Sequence, residues 1–87
     1  MSYRLSIPRR VGKQVAALQP RDRSRVDEAI LTLEEEPRPR GSEKLSGRAD
    51  EYRVRVGDYR IVYAVDDDAQ LVEVLRVAHR REVYRKR

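Results

Sequence analysis

The run EYRVRVGDYRIVYAV, residues 51–65, constrains this chain more than any other stretch. Two alternating segments flank Gly57-Asp58, and a two-residue turn there is the simplest way to join them as an antiparallel hairpin. That register sets Val56 opposite Tyr59, Arg55 opposite Arg60, Val54 opposite Ile61 and Arg53 opposite Val62. Directly opposed residues share a face. One face therefore carries Tyr52, Val54, Val56, Tyr59, Ile61 and Tyr63, and the other gathers Arg53, Arg55 and Arg60. A slip by one residue would expose Val54 and Val56, so the grouping is fixed by burial. Like charges opposed on a sheet are unfavourable. An anion resting between Arg55 and Arg60 would reverse that cost, and a phosphodiester suits the two parallel hydrogen bonds a guanidinium offers. The hairpin alone does not choose between this and a merely solvated face.

The remaining pattern supplies partners for the hairpin. Tyr3 to Ile7 alternates as a first strand, ended by Pro8. Val11, Val15 and Leu18 follow at helical spacing, and Val26, Ile30 and Leu33 form the stripe of a second helix after Pro20, with Asp22 near its positive end. Pro37 stops that helix, and PRPRGSEKLSG reads as a loop. Gln70 to Ala78 is a further strand, and Arg80 to Arg87 a short helix or basic tail. The order β-α-α-β-β-β predicts an α+β fold, an antiparallel sheet packed against two N-terminal helices. At 87 residues, one domain spanning 1–87 is expected.

Charge is abundant and uneven. Twenty Lys and Arg stand against fifteen Asp and Glu. Residues 76–87 hold six basic side chains and one acid, whereas residues 20–36 hold three arginines and six acids. This asymmetry points to a polyanionic partner, nucleic acid ahead of a membrane, since no basic helix carries a large apolar face. The absence of cysteine in so small a chain favours a reducing, cytoplasmic setting. The longest apolar run, Ile61 to Val65, is far below the roughly 20 residues that span a bilayer, and MSYRLSIPRR holds no leader-like apolar stretch.

The terminus VAHRREVYRKR adds the only histidine, His79, beside Arg80, Arg81, Glu82 and Tyr84. Histidine titrates near neutral pH, and tyrosine transfers a proton when cations lower its pKa. Such a run also looks like a solvated terminus unless the last strand returns beside the hairpin. One histidine without cysteine leaves no zinc cluster. Asp66, Asp67 and Asp68 read as a polar turn. There is no Gly-rich phosphate loop and no Ser or Cys in a triad context.

Together the Leu-Ser-Gly loop, YRVRVGDYRIVYAV, the apolar strand after it and HRREVY resemble the RelE/ParE toxin superfamily, over essentially the whole chain. The resemblance implies a type II toxin neutralised by a small antitoxin protein in a hetero-oligomer. RelE-like members act in the ribosomal A site as metal-free, cofactor-free endoribonucleases, the ribose 2′-hydroxyl attacking the adjacent phosphate to leave a 2′,3′-cyclic phosphate and a free 5′-hydroxyl. By position, Arg60 matches the arginine that holds the scissile phosphate, and Arg80 the one assigned to transition-state charge and leaving-group support. Tyr84 matches the tyrosine implicated in proton transfer or base stacking. Arg53 and Arg55 fall where some members carry lysines; arginine stays protonated, so neither is a general base, and both are expected to stabilise phosphorane charge. Proton transfer then falls to Tyr84 or His79, between which the sequence does not choose. Lys44 and Arg81 are further candidates for RNA contact.

Two rivals stand beside this reading. ParE-like members of the superfamily poison DNA gyrase by binding; they generally lack the terminal basic residue and tyrosine pair, which this chain has in Arg80 and Tyr84. An inactive RNA-binding module on the same scaffold is the other. The arginine face suits an acidic, partly disordered antitoxin segment that folds on binding and covers the cluster or displaces the terminal helix.

Overall fold

The fold is that of a computed structural model, which describes residues 2–45, 47, 50–79 and 81. In chain order the elements are β1 (Arg4–Ser6), α1 (Arg9–Ala16), α2 (Pro20–Glu35), β2 (Glu43–Lys44), β3 (Glu51–Val56), β4 (Tyr59–Asp66) and β5 (Leu71–His79). The strands form one sheet in the order β1-β5-β4-β3-β2, with β4 at its centre.

Alternation along β4 organises the packing. Ile61, Tyr63 and Val65 are buried, and they join Val72, Val74 and Val77 of β5 against Val11 and Val15 of α1 and Val26, Ile30 and Leu33 of α2. Tyr52, Val54, Val56 and Tyr59 pack against that cluster as the hairpin pattern predicts. The register matches residue for residue, Arg55 with Arg60 and Val54 with Ile61. Gly57, at φ +60°, supplies the positive angle that the first central position of a type II′ turn needs.

The helices begin where proline permits. Pro20 opens α2, where its missing N–H is no loss, with Asp22 in the first turn. Pro8, extended at ψ 154°, precedes α1. Among the described residues no helix is long and apolar enough to cross a membrane.

Three features differ from the pattern reading. The sheet is not wholly antiparallel: β1 runs parallel to β5, Arg4 pairing with Leu71 and Ser6 with Glu73. The long helical connection after β1 makes a parallel return possible. The loop after α2 contains β2, a two-residue strand pairing Glu43 with Arg53 and Lys44 with Tyr52. Its polar sequence gave no alternation to read. Finally, β5 carries a bulge: Tyr63 pairs with Val74 but Val62 pairs with Arg76, so Leu75 is the extra residue.

Helix α1 holds that bulge. Pairing with β1 stops at Glu73, leaving the outer edge of β5 open beyond it. There Arg10 Nη2 donates to the Leu75 carbonyl at 3.1 Å, and the Val77 N–H donates to Gln14 Oε1 at 2.9 Å. Arg10 and Gln14 are four residues apart and so share a helix face. Replacing Gln14 with Leu keeps the volume but strands the Val77 N–H. It is expected to cost about 1–2 kcal/mol, seen as a lower urea midpoint at unchanged m-value. An unchanged midpoint would mean that the bulge does not need the helix.

Candidate functional site

On the sheet face away from the helices, alternation brings together side chains from four strands. One row across the sheet reads Glu43, Arg53, Val62, Arg76; the next reads Arg55, Arg60, Ala78. A cleft of about 190 Å³ is lined by Gly41, Glu43, Arg53, Arg55 and Arg60. Arg60 is half-buried, and its Nη1 atom is sealed from solvent. Arg55 bends over the hairpin turn, its Nε donating to the Gly57 carbonyl at 3.2 Å. Arg53 donates through Nε and Nη2 to Glu43 Oε1, at 3.1 and 2.9 Å. Gly41 adopts φ +93°, a backbone angle that a side chain would strain. A concave set of guanidiniums on a rigid sheet is suited to an oxyanion, because fork-shaped donors match its geometry and strands hold them in place.

The structure gathers Arg53, Arg55 and Arg60 as the hairpin predicted, but it separates two other candidates from them. Lys44 pairs with Tyr52 and so shares that residue's side of the sheet, exposed at the edge, while its neighbour Glu43 occupies the arginine side. Lys44 therefore lies outside the cleft, where an RNA contact from it would have to be made apart from the arginine cluster. His79 likewise pairs with Tyr59, not with Arg60. Its ring meets Tyr59 edge-on at 5.4 Å, and its Nδ1 accepts the Arg81 N–H at 3.2 Å. His79 does not border the arginine cluster, because the β5 register puts Ala78 on that face instead. Arg81 is exposed. Arg80 and Tyr84 lie outside the described residues.

Two side chains of this face escaped the sequence reading. Glu43 lay in what looked like a featureless loop. Arg76 reaches the face through the bulge: with unbroken alternation after Val74 it would oppose Ile61 in the core. The signal was present, since the buried positions of β5 step by two from Val72 to Val74 and then by three to Val77. A phase change inside a strand marks a bulge. Arg76 is then the diagonal neighbour of Arg60.

A polar clamp fastens the loop that carries Gly41 and Glu43. Arg38 Nη2 and Nη1 reach the two Asp67 carboxylate oxygens at 2.8 and 3.3 Å, and its Nε donates to the Tyr52 hydroxyl at 3.0 Å. The guanidinium lies over the Tyr52 ring, 5.2 Å from its centroid, and Tyr52 stacks on Tyr63 at 5.9 Å. Tyr63 donates to the Pro37 carbonyl at 2.8 Å, and burial raises its pKa. Tyr3 donates to Asp67 at 2.8 Å, a bond that pushes the phenol above its ordinary pKa. The hydrogen bonds from Arg38 and then Tyr3 hold Asp67 below the usual carboxylate range. Asp66 caps the same turn, accepting the Ala69 N–H at 3.0 Å. The acidic run is thus largely taken up by the turn, and among the described residues no three His, Cys, Asp or Glu side chains converge as metal ligands.

Because the folded pKa of Asp67 is depressed, its contribution is present at neutral pH and is lost as pH falls through a folded value below the ordinary carboxylate range. Asp67→Asn should therefore melt below wild type at pH 7, with the gap closing as wild type is acidified below that range. A gap that persists with the carboxyl protonated would remove the ion pair as its cause.

Comparison with known proteins gives a consistent set of likenesses. Residues 5–84 match the family model described as the ParE toxin of the type II toxin-antitoxin system, parDE. Toxin RelG of Mycobacterium tuberculosis is 32% identical over 87 residues, covering 99% of this chain and all of that protein. A putative toxin RelE1 of Methanocaldococcus jannaschii is 30% identical over 98% of both chains. Among solved structures, the archaeal RelE-RelB complex from Pyrococcus horikoshii matches with a TM-score of 0.82 and 35% identity, over 92% of this chain and 97% of that one. The isolated E. coli RelE toxin matches with a TM-score of 0.78 and 31% identity, over 97% and 93%.

Proposed function

The chain belongs to the RelE/ParE superfamily of type II toxins, and from that premise we propose that it is a ribosome-dependent endoribonuclease that cuts messenger RNA in the A site. The observation that carries the proposal is the cleft itself, in which Arg53, Arg55 and Arg60 converge from adjacent strands. Attack of a ribose 2′-oxygen on the neighbouring phosphorus places extra negative charge on the phosphoryl oxygens. Fixed guanidiniums aimed at that charge lower the barrier without reorganising. The O2′–P bond forms, the P–O5′ bond breaks, and the products are a 2′,3′-cyclic phosphate and a 5′-hydroxyl.

Arg60, whose Nη1 is sealed from solvent, takes the scissile phosphate, and Arg53 and Arg55 take the charge that develops on it. Arg76, beside Arg60, extends the contact along the RNA backbone. Arg80 supports the departing oxygen, Arg81 adds a backbone contact, and Tyr84 moves the proton or stacks on a base. His79, on the other face, is the weaker choice for the proton. Arginine is no base, so the site depends on its target being held in an attacking geometry, which the ribosome supplies. Action on the ribosome makes the protein cytoplasmic. Its partner when inactive is an antitoxin, as in the toxin-antitoxin complexes among the structural neighbours.

Primer extension on a defined messenger, with and without programmed ribosomes, tests this. Arg60→Ala should reduce cleavage about 100-fold or more, the loss seen when one oxyanion donor is removed. Tyr84→Phe should also cut poorly, His79→Ala less so. Arg76→Gln should weaken binding and flatten its salt dependence by about 0.7 of a unit in the log–log slope, as one lost phosphate contact to a single strand does. Near-normal cleavage by Arg60→Ala would sink the phosphate assignment. The matched ParE description favours a second reading, gyrase inhibition. An uncut messenger together with blocked gyrase supercoiling would establish it.

A further inference from the structure

The cleft contains a carboxylate. Glu43 belongs to a strand of two residues on the sheet edge, and its register opposite Arg53 directs it to the arginine face. Both N–H groups on one side of the Arg53 guanidinium, Nε and Nη2, converge on a single oxygen, Oε1. The Glu43 side chain is 65% exposed and that of Arg53 28%. An edge ion pair so open contributes little to stability. Its geometry is nevertheless that of a ligand, because it fills the donor fork that Arg53 would offer to a phosphate.

We propose that Glu43 is a resident counter-anion of the cleft, displaced by the phosphate of an incoming polyanionic strand. The proposal rests on the reading of this cleft as a phosphate site. Without RNA, Glu43 offsets part of the repulsion among Arg53, Arg55 and Arg60. Rotation of its exposed side chain into solvent vacates the fork without moving the backbone. Displacement sets a threshold: a lone small anion must meet the whole cost of breaking the ion pair, whereas a nucleic acid meets it with several phosphates at once. The exchange also alters salt dependence. A phosphate landing on an arginine releases the cation condensed on the strand, but where it displaces Glu43 the freed carboxylate, left beside the strand, draws a cation back, so the net release is smaller.

The test is the binding of a short single-stranded RNA, with 2′-deoxy sugars so that it is not cut, followed by fluorescence anisotropy across a salt series. Glu43→Gln should bind about fivefold tighter at low salt, the scale of an exposed ion pair, with a log–log slope steeper by about 0.7. Glu43→Asp, one methylene shorter and so worse placed for the Arg53 fork, should fall between wild type and Glu43→Gln. In an Arg53→Gln background, Glu43→Gln should have a much smaller effect. Unchanged or weaker binding by Glu43→Gln overturns the proposal. So does slower cleavage at unchanged affinity, which would make Glu43 a participant in the reaction. Arg60→Ala serves as the reference: if it binds normally, the phosphate reading of the cleft fails; if it binds weakly while both Glu43 variants match wild type, only the counter-anion idea fails.

Discussion

Two hydrogen bonds from one face of α1 meet β5 at the point where its side-chain phase shifts. Arg10 and Gln14 take the Leu75 carbonyl and the Val77 N–H where β1 has ended. An uncovered strand edge at that point would leave polar backbone groups unpaired or open to another chain. With the bulge held, Val77 returns to the core and Arg76 turns outward; without it, an arginine would press on Ile61. The packed face and the charged face thus depend on the same few contacts.

How much of this was legible follows from where the information sits. The hairpin register was readable because burial punishes any slip: Val54, Ile61 and Tyr63 admit only one phase. The helical stripes were readable for the same reason. The short β2 was not, since Glu43 and Lys44 gain their strand geometry from pairing with β3 and not from their own pattern. The position of His79 was not either. Its face depends on the bulge at Leu75, which the sequence marks only by the step from Val74 to Val77 and which Arg10 and Gln14 meet from about 60 residues earlier. The parallel pairing of β1 was hidden likewise, because three residues of strand carry no mark of direction. Family resemblance recovered the toxin class but not these placements, which are matters of local register.

The arginine face shows how a sheet tolerates charges that oppose one another. Arg55 and Arg60 face each other across β3 and β4. Part of the repulsion is met by Glu43 on the neighbouring strand, and part by directing Arg55 back over the Gly57 carbonyl. The cation density that remains is held on the inner strands of the sheet, with Arg53 and Arg55 on β3, Arg76 on β5 and Arg60 on the central β4. Rigidity and charge coincide there, the condition under which fixed donors act on a developing anion.

The clamp joining Tyr3, Arg38, Tyr52 and Asp67 bears on the order in which the molecule comes together. Its members are spread over most of the chain, and Tyr3 is set in place by the pairing of β1 with β5. Contacts so distant in sequence form late, because loop-closure entropy must be met before they repay it. The hairpin closes locally and offers Tyr52, Tyr63 and Asp67 to the loop bearing Gly41 and Glu43, but the clamp gains Tyr3 only once β5 has been made and has captured β1. During synthesis the arginine cleft can therefore take shape with the hairpin, while the clamp behind its loop is completed only after β5 has emerged.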